Sequence, residues 1–343
     1  MSKLFKITVL LLIQFYCVLS LVHGHKKLFD PEKWNQFKLN YNKTYLKQSD
    51  EHYHRSIFFA NLGRIENHNR RADQRLESYR LSINHFSDME FTDFARRVLR
   101  YKPLDKNKLS KGRFYHYKTN VSASEASIDW RTKGVVSDVR DQGTCGSCWA
   151  FASVAAIESA LAIANSNGEP KVPQLSEQNL IDCSFAEGNE GCLGGTMEAA
   201  YQYVLDADGL DTRQSYPYED RQGECRFNSD TIGGKIKSYV EIIPDSEDYL
   251  LNAASKHVIS VAIQATASFQ LYSGGIFDDP TCDNRLDSLN HAIALIGYGS
   301  SDGQDYWLVK NSWGKYWGEN GFGRIKRGSN HCGIASQASY PIV

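Results

Sequence analysis

The first part of the chain places apolar residues at helical spacing. Between residues 25 and about 100, aromatic side chains such as Trp34, Phe37 and Phe58 recur on positions that share one helical face. This stretch contains no cysteine. Residues 102–124 are polar, rich in lysine and without periodicity, so they predict an extended linker of the kind that proteases cleave.

Beyond the linker, the pattern changes first to a buried helix and then to strands. From Ser147 the residues are apolar on nearly every helical face, which is typical of a helix inside a core. Two shorter helices are predicted at Ser176–Cys183 and Thr196–Leu205, the first opened by a good capping residue. From about Gly233, short β-branched and aromatic runs predict strands. These runs are 258–263, 291–296, 306–309 and 321–325.

A helical half followed by a mostly antiparallel half predicts an α+β fold, with a site in the cleft between two lobes. The first 24 residues stand apart, because lysines precede an apolar run from Ile7 to Val22 and small residues follow. That order is typical of a secretory signal peptide. The run is short for a spanning helix and no later stretch is apolar enough, so we predict no membrane span. We expect a destination in the lysosome or outside the cell.

Cysteine usage fits an oxidising compartment. The sequence has 8 cysteines, of which Cys17 lies in the predicted signal peptide. The other seven are an odd number, so at least one thiol is unpaired within the molecule.

The net charge of −1 conceals two oppositely charged segments. Residues 25–123 carry a net charge of +10 and residues 124–343 a net charge of −13. This division predicts that the basic segment binds the acidic one, and that acid weakens the contact by protonating carboxylates. A basic arm for nucleic acid fits poorly in a chain addressed for export, so we predict no nucleic-acid partner.

Cys148 has the setting of a nucleophile. It stands where the buried helix begins, and free N–H groups and the positive end of the helix dipole favour a thiolate there. Two alternatives use Cys145 and Cys148 together, as a redox disulfide or as half of a zinc site. A redox motif would follow a strand in a βαβ unit, and a zinc site would need a second ligand pair. The sequence has neither.

A cysteine nucleophile needs a base, and three histidines follow the linker: His257, His291 and His331. His291 begins an apolar strand that can hold it in a cleft, so we predict that it is the base. Asn311 is the predicted orienter of the imidazole, with an indole two residues further on to exclude water. Gln142 and the Cys148 N–H are the predicted oxyanion donors.

The motif Cys-Gly-Ser-Cys-Trp at 145–149, with His291 and Asn311 143 and 163 positions after Cys148, resembles the papain family of cysteine proteases. The likeness is to its cathepsin L type and covers nearly the whole chain. It implies a papain-like two-lobed fold with a helical left lobe, an antiparallel β-barrel-like right lobe and a helical propeptide. It also implies an endopeptidase without cofactor or metal. The implied domains are a signal peptide at 1–24, an inhibitory propeptide at 25–123 and a mature domain at 124–343.

The resemblance also implies how the cysteines pair, which the sequence alone leaves open among 15 arrangements. The implied disulfides are Cys145–Cys192, Cys183–Cys225 and Cys282–Cys332, and they leave Cys148 as the odd thiol. Further implied substrate contacts come from the backbone ledge at Gly194 and Gly195, from Trp313 and from the S2 pocket. The S2 residues are Thr196, Met197, Ala262, Leu289, Ala292 and Gln337. Most are apolar, so we expect a hydrophobic or aromatic P2 residue, with Gln337 widening acceptance to polar side chains.

The basic segment resembles the inhibitory propeptide of this family. Its helix signature falls on one face, at Phe58, Asn61, Ile65 and Asn69, and a second motif follows at Asn84, Phe86 and Asp88. The expected partners are therefore peptide substrates, the chain's own propeptide and protein inhibitors of papain-like proteases, acting on a monomer.

Asn42 and Asn120 begin triplets that are acceptors for glycosylation. A catalytically silent binding protein of the same fold would have lost Cys148, His291 or Asn311, and the sequence retains all three.

Overall fold

The computed structural model describes residues 30–103, 113–114, 125–165 and 170–343. The predicted signal peptide, the processing region near Ala123 and the Asn120 triplet lie outside them. The helices are α1 Pro31–Asn40, α2 Gln48–Asp73, α3 Phe91–Arg97, α4 Cys148–Ala164, α5 Glu177–Cys183, α6 Met197–Asp206, α7 Glu247–Ala254 and α8 Ala267–Gln270. Short 3-10 turns lie at Trp130–Lys133, Gly191–Leu193, Ser229–Thr231, Leu286–Ser288 and His331–Gly333. No helix of the described part is long and apolar enough to cross a membrane.

The strands follow mainly in the second half of the chain. They are β1 Tyr79–Leu81, β2 Arg113–Phe114, β3 Ile128–Asp129, β4 Leu210–Asp211, β5 Ile232–Gly234, β6 Ser238–Glu241, β7 Ile259–Ile263, β8 Tyr272–Phe277, β9 His291–Ser301, β10 Gln304–Lys310, β11 Phe322–Lys326 and β12 Ala338–Ile342. The predicted strands are all present, and β9 and β10 run further than their apolar patterns indicated.

Helix α4 is the centre of the left lobe. Its residues are buried from Cys148 through Ala160, as expected for a sequence that is apolar on nearly every face. Helices α5 and α6 pack near it, and Ser176 and Thr196 cap them by accepting hydrogen bonds from backbone N–H groups three residues ahead. The left lobe therefore presents the start of a rigid, buried helix to the cleft.

The right lobe is built on an open sheet. A 10-stranded sheet runs in the order β1-β8-β11-β10-β9-β7-β12-β6-β2, with β3 paired to β9. Most pairs are antiparallel, while β11–β8 and β2–β6 are parallel. The expected barrel-like lobe is a sheet that does not close, because its two end strands, β1 and β2, do not pair with each other. Both end strands belong to the segment before residue 124.

The prosegment has a small core of its own and docks through aromatic and polar contacts, in addition to the pairing of β1 with β8. Its helices bury a mainly aromatic hydrophobic cluster formed by Trp34, Phe37, Phe58, Phe59 and Leu62. Phe86 and Phe94 lie edge-on to Trp313 of the protease domain, with ring centroids 5.8 and 5.1 Å away. Asn84 Nδ2 donates to the carbonyl oxygen of Gln270 at 2.8 Å, and Gln270 Nε2 donates back to that of Phe86 at 3.1 Å.

The ionic contacts of the prosegment differ from the expectation drawn from net charge. Its described ion pairs are largely internal, and Lys102–Glu190 crosses to the protease domain. The internal pairs are Lys33–Glu66, Lys38–Glu51, Lys43–Asp88, Arg71–Glu77, Arg80–Asp73 and Arg96–Asp93. Among the described residues, the opposite charges of the two segments are therefore mostly not paired with each other. Packing and hydrogen bonds form most of the described contact.

Candidate active site

The structure places Cys148 at the first residue of α4, fully buried, with Ser147 preceding the helix. The disulfides of the structure are Cys145–Cys192, Cys183–Cys225 and Cys282–Cys332, which is the pairing that the resemblance implies. Cys148 is the free cysteine of the described residues. Because Cys145 is bonded to Cys192, it is not available as a redox partner for Cys148.

His291 and Asn311 meet across two neighbouring strands. His291 begins β9 and Asn311 follows β10, which pairs with β9, so the pairing brings the side chains together. His291 Nε2 lies 2.9 Å from Asn311 Oδ1. The backbone N–H of Ser312 also donates to this oxygen, at 2.8 Å, so Oδ1 acts as an acceptor and Nε2 carries the ring proton. Nδ1 is buried and has no hydrogen-bond partner within the described part of the chain.

Trp313 covers the imidazole from one side. Its ring stacks on His291 with centroids 4.5 Å apart and planes inclined by 26°. Both side chains are completely buried. The indole thus shields the His291–Asn311 hydrogen bond from water, as predicted from its place after Asn311.

Gln142 lies beside this pair because the two lobes meet there. Its backbone N–H donates to the carbonyl oxygen of Ser312 at 2.8 Å, and the hydroxyl of Ser312 donates to Gln142 Oε1 at 2.7 Å. These contacts fix the orientation of the side-chain amide. Nε2 then donates to the carbonyl oxygens of Cys145, at 2.9 Å, and of Val98, at 3.2 Å. A carbonyl oxygen of the prosegment therefore already accepts a hydrogen bond from the side-chain amide that we predicted to bind the oxyanion.

The prosegment continues through the cleft after Val98. The Tyr101 N–H donates to the carbonyl oxygen of Asn290 at 3.1 Å, and the Lys102 N–H donates to that of Gly195 at 3.2 Å. Tyr101 and Gly195 form a parallel β-bridge. A Cβ atom on Gly194 would lie 2.2 Å from the carbonyl oxygen of Arg100, so only glycine permits this approach. The predicted ledge thus binds the backbone of an extended chain.

One side chain of the prosegment, Tyr101, lies in the same buried cluster as most of the predicted S2 residues. Tyr101 is buried in a hydrophobic cluster together with four predicted S2 residues, and its hydroxyl donates to Gln337 Oε1 at 2.8 Å. The four are Met197, Ala262, Leu289 and Ala292. Thr196, the remaining one, is buried as the cap of α6. Sequence reasoning missed this occupant because it began the linker at Lys102, immediately after Tyr101.

Burial holds the reactive pair in its uncharged form. It raises the pKa of the Cys148 thiol to about 11, although backbone N–H groups of Ala292 and Arg100 hydrogen-bond the sulfur and act in the opposite direction. It lowers the pKa of His291 to about 4, against the effect of the Asn311 hydrogen bond. Near neutral pH the covered site therefore contains a thiol and a neutral imidazole, not the thiolate expected from the helix N-terminus alone.

A buried ionic network that the sequence did not indicate lies behind the site. Arg140 Nη2 donates to Glu158 Oε1 at 2.7 Å, and Lys310 Nζ donates to Ser137 Oγ at 2.8 Å. Ser137 in turn donates to Glu158. Lys310 directly precedes Asn311, so this network connects the end of β10 to helix α4. No local motif marks it, because its members are far apart in the chain.

Comparisons with known proteins agree with this arrangement. Residues 124–342 match the family described as "Papain family cysteine protease", and residues 34–94 match the "Cathepsin propeptide inhibitor domain (I29)". A "Cathepsin L-like peptidase" of Aedes aegypti is 41% identical over 321 residues, covering 91% of this chain and 93% of that protein. The solved structure of digestive procathepsin L 3 from Tenebrio molitor larval midgut has a TM-score of 0.83 at 39% identity. It covers 91% of this chain and 99% of that one.

Proposed function

Since the chain belongs to the papain family of cysteine proteases, as a cathepsin L-like proenzyme with its own inhibitory propeptide, we propose that Cys148 is its nucleophile. The protein is a cysteine endopeptidase made as a zymogen. In this proposal His291 is the base, Asn311 its orienter and Gln142 an oxyanion donor. The observation that carries the assignment is the His291–Asn311 hydrogen bond, which leaves Nδ1 as the ring nitrogen without a partner among the described residues. The backbone N–H of Ala292, the residue after His291, hydrogen-bonds the sulfur of the free Cys148.

The chemistry follows from these positions. Once the cleft is open, His291 Nδ1 takes the proton of Cys148 and the thiolate attacks the carbonyl carbon of the scissile bond. The negative charge moves to the carbonyl oxygen, where Gln142 Nε2 and the Cys148 N–H donate hydrogen bonds. The imidazolium gives its proton to the leaving amine as the C–N bond breaks, and a thioester remains. His291 then deprotonates a water molecule, which hydrolyses the thioester and restores the thiol.

Acidification of the purified proenzyme tests the nucleophile. After processing, one equivalent of a thiol-specific label per chain should attach to Cys148, and a peptide with a hydrophobic P2 residue should be cleaved. The Cys148→Ala variant should lose both properties while it unfolds at the same temperature as the parent proenzyme. Cleavage that survives in Cys148→Ala, or label found on other cysteines in its place, would overturn the assignment.

Gln142 has a separate predicted effect. Gln142→Ala should lower kcat of the processed enzyme by about 10²-fold, because one of two oxyanion donors is lost while Cys148 and His291 stay in place. The KM should change much less, since this donor acts on charge that develops in the transition state. Steady-state hydrolysis of a short peptide gives both constants. A drop confined to KM would show that the amide binds substrate instead.

We further propose that acid opens the cleft through the fold of the prosegment. His85 is half-buried at the docking surface with both ring nitrogens buried, and its ring centroid lies 3.8 Å from that of Phe86 and 6.3 Å from that of Tyr316 of the protease domain. Neither ring nitrogen has a hydrogen-bond partner among the described residues. Burial lowers the pKa of His85 to about 4, Lys43 acts in the same direction and Asp88 opposes it. Tyr41 lies nearby as well, 6.5 Å between ring centroids.

The sign of this effect follows from proton linkage. The docked state holds His85 neutral, whereas the released ring would titrate near its ordinary pKa of about 6.5. Docking is therefore fully favoured above that value, and it weakens by up to about tenfold per pH unit as the pH falls toward about 4.

Replacing His85 by phenylalanine should consequently lower the pH of release by roughly one unit. The measurement is the tryptophan fluorescence of the intact Cys148→Ala proenzyme during acid titration, because Trp313 contacts the prosegment. His52→Phe, on an exposed position of α2, is the matched control and should release like the parent. An unchanged midpoint in His85→Phe would exclude this trigger.

The remaining assignments extend the same proposal. The residues 1–24, 25–123 and 124–343 are proposed as signal peptide, propeptide and mature domain, with a destination in the lysosome or outside the cell. Asn42, exposed after α1, and Asn120 remain predicted glycosylation sites. The proposed substrates are peptides with a hydrophobic or aromatic P2 residue, and the mature enzyme is proposed to act as a monomer that protein inhibitors of this family bind.

A further inference from the structure

The side chain of Tyr101 occupies the S2 pocket and makes a polar contact at its end. The ring lies among the apolar S2 residues, and the residue is 4% exposed. Its hydroxyl donates to Gln337 Oε1 at 2.8 Å. The pocket therefore has apolar walls and, where the hydroxyl of a bound tyrosine ends, one amide oxygen that accepts its hydrogen bond.

The acceptor is held in place by the fold. Gln337 immediately precedes β12 and is itself 4% exposed. Its carbonyl oxygen accepts a hydrogen bond of 2.9 Å from the N–H of Ala262, another residue of the pocket. The amide thus projects from a pinned backbone position, and it does not have to be ordered anew for each ligand.

A phenol fits this arrangement better than a benzyl group. A phenylalanine side chain would fill the same walls but would leave Gln337 Oε1 without the donor that Tyr101 supplies. The hydroxyl stays protonated and so remains a donor, because burial raises the pKa of Tyr101, and the carboxylates of Glu198 and Glu241 act in the same direction. A basic side chain would meet an amide here and gain no ion pair from Gln337 itself.

We propose that Gln337 selects tyrosine over phenylalanine at P2, and that Tyr101 fills S2 as a built-in copy of the preferred side chain. The inference rests on the proposed function of the cleft and specifies its substrates. A neutral hydrogen bond is typically enough for about a 3- to 10-fold preference. The same contact should contribute a similar factor to the retention of the prosegment.

Peptides that differ only at P2 test the substrate side. The processed, active-site-titrated enzyme should cleave the tyrosine peptide with a kcat/KM about 3- to 10-fold above that of the phenylalanine peptide. Gln337→Met, which keeps the length of the side chain but removes the acceptor, should bring the ratio close to one. A wild-type ratio of one or less, or a ratio that Gln337→Met leaves unchanged, would overturn the inference. If neither peptide is cleaved and Cys148 is not labelled, the proposed function has failed and not the P2 preference.

The intact proenzyme gives a second, independent readout. In the Cys148→Ala background, Tyr101→Phe should raise the pH at which the prosegment is released. The same change should have no further effect when Gln337→Met is already present, because both variants remove the same contact. Tyr53→Phe, on an exposed side chain of the prosegment, is the matched control. Additive shifts from Tyr101→Phe and Gln337→Met would mean that the two groups act separately, which contradicts the inference.

Discussion

Replacing His291 by alanine should lower kcat/KM of the processed protease by about 10⁴-fold. Without the imidazole, Cys148 loses the group that takes its proton, and the leaving amine loses its proton donor. The rest of the cleft remains, so the KM should change far less than kcat. Asn311→Ala should fall between this variant and the parent, since Asn311 positions the ring but does not transfer protons.

The pH dependence of Cys148 alkylation separates this role from misfolding. In His291→Ala, alkylation should set in only near the pKa of an ordinary thiol, whereas the thiol of the parent should react at a pH well below that value. His257→Gln is the control, because its ring stacks on Tyr340, 4.3 Å between centroids, away from Cys148. Both variants should unfold within a few degrees of the parent. A His291→Ala enzyme that keeps more than a tenth of the parent activity would remove His291 from the mechanism.

The second large effect concerns the covered thiol. At pH 7, Cys148 of the intact proenzyme should react with a small neutral alkylating reagent on the order of 10³-fold more slowly than after release of the prosegment. With a pKa of about 11, roughly one thiol in 10⁴ is ionised at this pH. After release the thiol is more ionised, but a thiolate of lower pKa is a weaker nucleophile. This weaker nucleophilicity reduces the gain in alkylation rate by about two powers of ten. Better access to the sulfur then adds to the difference.

Mass spectrometry of the Cys148 peptide measures both rates. The proenzyme is sampled at pH 7 over short times, and the released enzyme is returned to pH 7 after processing. Unfolded chain under the same conditions gives the rate of an ordinary exposed thiol and should lie between the two. Equal rates before and after release would show that the prosegment does not govern the ionisation of Cys148.

Much of this site could be predicted because its signals are local. The apolar sequence after Ser147 predicted a buried helix, and Cys148 is its first residue. His291 heads a strand as its pattern indicated, and pairing of that strand with the next one carries Asn311 to it. The role of Gln142 was predicted from its place six residues before Cys148, whereas the pairing of the cysteines came from the family resemblance, since their count alone does not distinguish the arrangements.

What the sequence did not indicate depends on contacts between distant segments. The placement of the Val98 carbonyl on Gln142, and of Tyr101 against Gln337, is set by how the prosegment packs on the finished domain. The ionisation of Cys148 is reversed for the same reason, because burial outweighs the helix N-terminus. The division of net charge was read as direct pairing between segments, whereas the described ion pairs of the prosegment, such as Lys43 with Asp88, are internal except for Lys102 with Glu190.

The two ends of the linker have a consequence for how inhibition ends. On one side of the linker Lys102 is hydrogen-bonded in the cleft, and on the other side β3 pairs within the sheet of the protease domain, so prosegment and cleft belong to one chain. A covalent tether of this kind holds a ligand at an effective concentration that is typically millimolar, and dilution cannot lower it. Once the linker is cut, the same contacts hold only a free ligand at the concentration of the protein itself. After cleavage, inhibition is therefore a binding equilibrium that depends on the concentration of the protein in its compartment.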